Sequence, residues 1–165
     1  MSEETRESVP SQGELEAVPE GFEALPEGIG FLDALAPLYR KMPLQDAVIG
    51  LVVLPHHVNM MGICHGGVLM TLADAVAATG INLARGEVAG SPTINLSLDF
   101  ISAAKQGEWV QGVAQSVNVK KRFGFCSGVL ETRRTTIATF KGTFYIPDHD
   151  GLWQSDSRRG LLNPD

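Results

Sequence analysis

One apolar stretch near the middle of the chain constrains the fold more than any other segment. From residue 67 to about residue 85 it consists mostly of helix-forming Leu, Met and Ala. Apolar side chains fall on most sides of the predicted helix, at Val68, Leu69, Met70, Leu72, Ala73, Val76, Ala77, Ile81 and Leu83. A helix of this kind must be largely enclosed by other elements. Asp74 and Asn82 lie inside the stretch and make it a poor membrane span.

The segments around this helix have the two-residue period of β-strands. Ile94, Leu96, Leu98 and Phe100 alternate with polar residues, so one face of this strand is predicted to be dry. Three further runs follow at about 108–119, 123–133 and 136–146, and one run at 47–54 precedes the helix. We therefore predict an α+β fold, in which a curved antiparallel sheet of about five strands wraps around one long central helix. Free sheet edges predict edge-to-edge pairing of two subunits.

Both ends of the chain differ from this pattern. Residues 1–28 contain eight Glu and one Arg with few large apolar groups, which predicts a flexible acidic tail. Residues 29–41 place Phe31, Leu32, Leu35, Leu38 and Tyr39 at helical spacing before Pro43, which predicts a short amphipathic helix. Residues 148–165 are interpreted as a second tail. The predicted folded domain thus spans 29–147.

The composition limits the classes of function. With 13 Lys and Arg against 19 Asp and Glu, the net charge of −6 disfavours a general nucleic-acid binder or a protein that binds anionic membranes. Two cysteines, Cys64 and Cys126, are too few for a disulfide framework, and the N-terminal sequence lacks the features of a secretory signal. We expect a cytoplasmic protein of a single domain.

The segment from Asn59 to Asp74 carries the most chemical information. Gly66 and Gly67 at the start of the helix would let a substrate atom approach free backbone N–H groups at the positive end of the helix dipole, or they would only form a tight turn. Asp74 lies two helical turns further on, among apolar neighbours. If Asp74 is buried, it needs a partner or a function; otherwise it is a solvated helix residue.

Two other polar residues are candidates for the same site. Asn59 lies in the loop before the helix, where its amide would donate to a substrate carbonyl or close the loop through an Asx turn. Thr93 opens the first strand after the helix, and its hydroxyl would orient a water or would be an ordinary strand residue.

Two further chemistries fit the sequence poorly. His56, His57, Cys64 and His65 are zinc-ligand types, but adjacent pairs on one loop rarely converge tetrahedrally and no second ligand pair follows, so we expect no metal and no cofactor. A Cys64–His65 nucleophile pair is disfavoured because the side chains of neighbouring residues tend to diverge.

The stretch N-M-M-G-I-C-H-G-G-V-L-M-T-L-A-D at residues 59–74 resembles the hotdog-fold acyl-CoA thioesterases of the PaaI type. That family shows Asn, Gly, His-Gly-Gly and then Asp within its central helix. The resemblance extends over residues 93–107 and a closing strand with Gly142-Thr143-Phe144, and it covers roughly residues 47–147. It implies a hotdog fold and hydrolysis of an acyl-CoA to the free acid and coenzyme A, by a homodimer or a dimer of dimers (homotetramer).

The resemblance also implies roles for individual residues. The backbone N–H of Gly66 would hold the thioester carbonyl, with Asn59 polarising it and His65 shaping the turn. Asp74 would come from the partner subunit and act as nucleophile or as general base on a water. Thr93 stands where such enzymes often place a hydroxyl that holds water.

Coenzyme A carries phosphates, so basic residues are expected at the mouth of the site. The cluster Lys120-Lys121-Arg122, at a turn between two strands, is the candidate, unless it is only a solvated hairpin tip. Gly67 is a further candidate for contact with the substrate.

Two other functions remain open. A non-catalytic acyl-CoA-binding or sensor module would use the same fold, but it would gain nothing from Asp74 near a thioester. An enoyl-thioester hydratase ranks lower because the expected His and carboxylate pair is not apparent. The sequence does not indicate the acyl group.

Overall fold

The computed structural model describes residues 15–86 and 90–148. One antiparallel sheet has the strand order β1-β2-β3-β5-β6-β7-β4. Its strands are β1 (Phe22–Ala24), β2 (Tyr39–Lys41), β3 (Val48–Val52), β4 (Thr93–Phe100), β5 (Trp109–Lys120), β6 (Phe123–Thr132) and β7 (Thr136–Tyr145). One α-helix, α1 (Gly66–Arg85), contacts β3, β4, β5, β6 and β7. The predicted α+β architecture is confirmed, with seven strands where about five were predicted.

Small residues on the sheet allow α1 to lie close to it. A Cβ atom on Gly112 of β5 would come within 2.7 Å of Val76 on the helix, and one on Gly124 of β6 within 2.8 Å of Ile81. Val76 and Ile81 are completely buried. By length and composition alone, α1 is long and apolar enough to cross a membrane. In this structure it packs against five strands as the central helix of the core.

The two additional strands lie in the N-terminal region, where the sequence predicts a tail and a helix. The predicted helix at 29–41 is wrong in extent, because a 3₁₀ helix covers only Gly30–Leu35 and β2 begins at Tyr39. Pro37 explains the difference. A proline disfavours helical dihedral angles in the preceding residue, and Ala36 is extended with φ −61° and ψ 147°.

Residues 15–28, predicted as part of a tail, also pack on the sheet. β1 pairs with β2, and the Glu16 carboxylate accepts a hydrogen bond from the Trp109 backbone N–H at 3.0 Å. Glu16 also forms an ion pair with Arg133, with 3.2 Å between Oε2 and Nε. This part of the chain therefore differs from the predicted tail. Residues 1–14 and 149–165, which make up most of the two predicted tails, lie outside the described residues.

β4 forms one edge of the sheet and departs from the predicted alternation at its start. A register shift between Thr93 and Asn95 in the pairing with β7 brings Thr93 onto the same face as Leu96. Ile94, predicted to face the core, is 56% exposed. The bulge therefore directs the Thr93 side chain, and not that of Ile94, toward α1.

Candidate active site

The loop between β3 and α1 folds back on itself at the start of the helix. The backbone N–H of His65 donates to the carbonyl of His57 at 2.8 Å, and Val58 and Cys64 form an antiparallel bridge. The N–H of Cys64 also donates to the carbonyl of Ala104, in the connection between β4 and β5, at 2.8 Å. These backbone bonds fix the place where α1 begins.

His65 is the N-cap of α1. Its Nδ1 accepts from the backbone N–H of Gly67 at 2.9 Å, and its carbonyl accepts from the N–H of Val68 at 2.9 Å. The described residues provide no acceptor for the N–H of Gly66. Of the two glycines that the sequence singles out, Gly66 therefore has the N–H group available to a ligand. A free N–H at a helix N-terminus is suited to binding an oxyanion.

Asn59 closes the turn ahead of the helix. Its Oδ1 accepts from the backbone N–H of Met61 at 2.9 Å and from that of Ile63 at 3.4 Å. The Asx turn, one of the two roles considered from the sequence, is therefore present. Asn59 also lines the same groove as Gly66, so a ligand in that groove would lie beside both residues.

The groove beside Gly66 has a volume of about 330 Å³. Its walls come from the loop before α1, the first turns of α1, and the end of β4 with the residues after it: Asn59, Ile63, Cys64, Gly66, Leu69, Phe100, Ile101, Ser102, Ala103 and Ala104. The ring of Phe100 lies over Gly66, since a Cβ atom on Gly66 would be 3.3 Å from Phe100 Cζ. The groove is therefore mainly apolar, with a polar end at Asn59 and Gly66.

Asp74 and Thr93 form a hydrogen-bonded pair outside this groove. The hydroxyl of Thr93 donates to Asp74 Oδ1 at 2.7 Å, and the Asp74 side chain is half-buried. Asp74 lies eight positions after Gly66 along α1, a rise of about 12 Å. The structure thus brings together Asn59, Gly66 and the capping His65 at one place, and Asp74 with Thr93 at another.

The basic cluster lies at the tip of the hairpin between β5 and β6. Lys121 has the left-handed φ of +50° that tight hairpin turns favour, and Lys120 and Lys121 are exposed. The guanidinium of Arg122 forms a salt bridge with Asp148 and donates to the hydroxyl of Tyr145. Arg122 is therefore held by the C-terminal end of the described chain, and the two lysines present the exposed positive charge.

Both cysteines are buried, Cys64 in the loop before α1 and Cys126 on β6. Burial raises the pKa of the Cys64 thiol to about 12, so the nucleophilic thiolate is scarce at neutral pH. Cys126 is likewise buried, and burial raises its pKa to about 11. Across residues 15–86 and 90–148, no three His, Cys, Asp or Glu side chains converge as metal ligands would.

The sequence did not indicate the roles of two residues, one that lines the groove and one in the loop before α1. Phe100 was predicted to be a core-facing strand residue, yet it is 54% exposed above Gly66. His57 was considered only as a metal ligand, yet it is buried and hydrogen-bonded to the turn that leads into the loop. The two-residue period predicts the face of the sheet on which Phe100 lies. It does not show that Phe100 is the last residue of an edge strand, where its ring is exposed.

Comparisons with known proteins agree with this architecture. Residues 61–138 match the family model described as the thioesterase superfamily. A Pseudomonas aeruginosa protein that carries the name esterase is 31% identical over 131 residues, which are 79% of this chain and 98% of that protein. The chain belongs to the thioesterase superfamily. The resemblance inferred from the motif at residues 59–74 is thereby confirmed.

Solved structures of other superfamily members show the same fold. A variant of the phenylacetic acid degradation protein PaaI from Thermus thermophilus is 26% identical with a TM-score of 0.55, covering 61% of this chain and 84% of that one. A hypothetical thioesterase from Streptococcus pneumoniae, solved with coenzyme A, is 17% identical with a TM-score of 0.55, covering 60% of this chain and 78% of that one. This superfamily member therefore has the hotdog fold predicted from its sequence.

Proposed function

We propose that the protein hydrolyses an acyl-CoA thioester, and that each active site is shared between two subunits. The observation that carries this proposal is the N–H of Gly66, which has no acceptor among the described residues, lies at the positive end of α1 and opens on an apolar groove. Thioester hydrolysis passes through a tetrahedral oxyanion, and a fixed N–H donor stabilises that charge. Membership of the thioesterase superfamily and the coenzyme A bound by the Streptococcus pneumoniae neighbour support the substrate class.

Pairing of two β4 strands would complete the site. Within the described residues, one edge of the sheet is the three-residue β1 and the other is the eight-residue β4. Exposed Ile94, Phe100 and Ile101 lie along or just after β4. An open, partly apolar edge strand favours pairing with another strand, and a symmetric dimer uses the same patch twice.

The register of such a pair follows from the positions of the two polar groups. Gly66 lies beside Phe100 at the end of β4, and Asp74 lies beside Thr93 at its start. An antiparallel β4 pair about a two-fold axis at Ser97 places Phe100 of one subunit beside the bulge that contains Thr93 of the partner subunit. The partner subunit's Asp74 thereby approaches the Gly66 N–H across the interface.

In this arrangement the thioester carbonyl oxygen accepts a hydrogen bond from the Gly66 N–H. The partner subunit's Asp74 attacks the carbonyl carbon, or it removes a proton from a water that attacks. If the partner subunit's Asp74 attacks, the C–S bond breaks, coenzyme A leaves as the thiolate, and a mixed anhydride with Asp74 remains; water then hydrolyses this anhydride to the free acid and the Asp74 carboxylate, and the second proton of the water goes to the thiolate. If water attacks, the partner subunit's Asp74 takes up one of its protons, the C–S bond breaks to give the free acid, and that proton passes from Asp74 to the coenzyme A thiolate. Thr93 holds the Asp74 carboxylate in place through its hydroxyl, and His65 keeps the Gly66 turn in its shape.

The decisive experiment compares Asp74→Asn with the wild type. A panel of acyl-CoA substrates is assayed with a free-thiol reagent, and acyl-CoA binding is measured by calorimetry. We expect the wild type to turn over at least one substrate, and Asp74→Asn to lose about 10²-fold or more in kcat while it still binds, because the amide can act neither as base nor as nucleophile. Asp46→Asn, at an exposed carboxylate in the bend before β3, serves as the control.

The same experiment separates the hydrolase from a binding module. Binding without turnover in the wild type, on every acyl-CoA of the panel, would contradict the enzyme and favour the sensor. Turnover that survives in Asp74→Asn at the level of Asp46→Asn would contradict the role of Asp74.

A further inference from the structure

His57 lies where β3 turns into the loop that carries Asn59 and His65. His57 is only 1% exposed, and neither the proposed reaction nor, among residues 15–86 and 90–148, any cluster of metal ligands uses it. A buried polar side chain is costly unless it forms hydrogen bonds. Its contacts therefore indicate what it does.

Three hydrogen bonds join His57 to the elements on both sides of it. Its Nδ1 accepts from the backbone N–H of Leu54 at 3.1 Å, and its backbone N–H donates to the carbonyl of Leu54 at 2.9 Å. Its carbonyl accepts from the N–H of His65, the N-cap of α1, at 2.8 Å. One residue thus links the end of β3 to the residue that precedes Gly66.

The side chain acts through Nδ1. The other ring nitrogen, Nε2, is buried without a hydrogen bond of good geometry in the described part of the chain. Burial, and next the charge of His56, lowers the pKa of His57, and the backbone of Leu35 and of Val52, which faces the ring, partly opposes this lowering. The neutral ring keeps a lone pair on Nδ1 for the Leu54 N–H, whereas a protonated ring would place a second donor against it.

We propose that His57 is a positioning residue that fixes the Gly66 N–H in the orientation needed to bind the thioester oxyanion. The inference rests on the proposed thioesterase function. His57 touches no reacting atom; it closes the Leu54–His57 turn, and that turn presents the carbonyl to which the helix N-cap is bound. Loss of the Nδ1 contact would loosen the start of α1 and misplace the donor.

The test compares three replacements of His57. His57→Asn keeps an acceptor close to the position of Nδ1, His57→Gln moves the acceptor outward toward the position of Nε2, and His57→Leu removes it. We expect kcat for acyl-CoA hydrolysis to fall about 10²-fold in His57→Leu and His57→Gln with KM within about threefold of the wild type, since a misplaced donor weakens transition-state binding. His57→Asn should recover most of kcat.

His56→Asn is the matched control, because His56 is exposed and adjacent, and its ring packs against that of His57 at 4.0 Å between centroids. It should leave kcat unchanged. The proposal is overturned if His57→Leu retains the kcat of the wild type, if its loss lies in KM, or if His57→Gln matches His57→Asn. Should His57→Leu not fold, the Asn and Gln variants decide the matter.

Amide hydrogen exchange gives a readout that does not depend on activity. The N–H groups of His65 and Gly67 should exchange faster in His57→Gln and at the rate of the wild type in His57→Asn. Unchanged exchange in His57→Gln would overturn the positioning role. If the wild type hydrolyses no acyl-CoA at all, the proposed function fails, and the exchange rates still show whether His57 holds the helix start.

Discussion

Gly66 contributes a backbone N–H to the proposed reaction, and one substitution can remove that group while preserving the helix. Gly66 is the first residue of α1, the position where proline is best tolerated because the N–H there has no partner in the helix. His65 already has extended dihedral angles, φ −65° and ψ 136°, as a residue before proline requires.

We therefore expect Gly66→Pro to lower kcat by about 10² to 10³ with little change in the melting temperature, because it removes the donor and retains the fold. Steady-state kinetics and thermal unfolding measure the two effects. Gly66→Ala is the control, since it adds a Cβ beside Phe100 but keeps the N–H, and it should retain most of the activity. Equal losses in the two variants would point to crowding by the added carbon, not to the missing donor.

The roles of single residues in the motif at 59–74 could be predicted only in part from the sequence. The order Asn, His-Gly-Gly, Asp indicated the candidate residues, because the family resemblance fixes their spacing. It did not show which glycine has a free N–H, since that depends on His65 Nδ1 reaching the N–H of Gly67. It also did not show that Thr93 faces Asp74, because a bulge at the start of β4 reverses the expected alternation.

Among the elements, the hairpin between β5 and β6 carries positive charge that would attract the phosphates of the proposed substrate. Lys120 and Lys121 are exposed at its tip, whereas Arg122 is paired with Asp148. We predict that Lys120→Glu/Lys121→Glu raises KM for acyl-CoA several-fold with little change in kcat, because the phosphates of coenzyme A lie far from the thioester.

The salt dependence of KM provides the second measurement of this hairpin. Because the double variant lacks the contacts between the two lysines and the phosphates, its KM should depend less on ionic strength than that of the wild type. Lys41→Glu, an exposed lysine on β2, changes the net charge by the same amount per residue and should leave KM unchanged. If both variants have the KM of the wild type, the hairpin tip is ordinary solvated surface.

The elements that the sequence predicted well are long and strongly periodic. α1 and the hairpins of β5, β6 and β7 each offer many residues from which a period can be measured. β1 and β2 have three residues each, too few for any period to appear. Their pairing with each other and with β3 is a tertiary contact that a local sequence pattern does not show. The helix predicted over 29–41 covers only Gly30–Leu35 in the structure, because Pro37 disfavours helical dihedral angles in the residue before it. The spacing of apolar residues does not show this effect.

At the scale of the whole molecule, the proposed active site divides into two groups of residues that lie about two helical turns apart on a single chain. In the proposed reaction the Gly66 end supplies the N–H donor beside an apolar groove, and the Asp74 end supplies the carboxylate, which is hydrogen-bonded to Thr93. β1 and β2 extend the sheet beyond β3 and leave β4 as its long open edge. The position of that edge beside both groups of residues is the reason to expect that function requires a second copy.

Complementation between two inactive variants tests this arrangement directly. Gly66→Pro removes the donor and leaves Asp74, and Asp74→Asn removes the carboxylate and leaves Gly66. In a heterodimer of the two, one shared site carries both defects and the other carries neither. Equal mixing with free exchange yields heterodimers as half of the population, so we expect about one quarter of wild-type activity to return.

The mixture is prepared by coexpression or by subunit exchange, and kcat is measured against each variant alone. Mixing Gly66→Pro with the double variant Gly66→Pro/Asp74→Asn is the control, because no combination of those chains restores a Gly66 N–H beside an intact Asp74. Activity should stay at background there. Heterodimers that form, as shown by mass spectrometry of differently tagged chains, but give no activity would mean that Gly66 and Asp74 do not act across the interface.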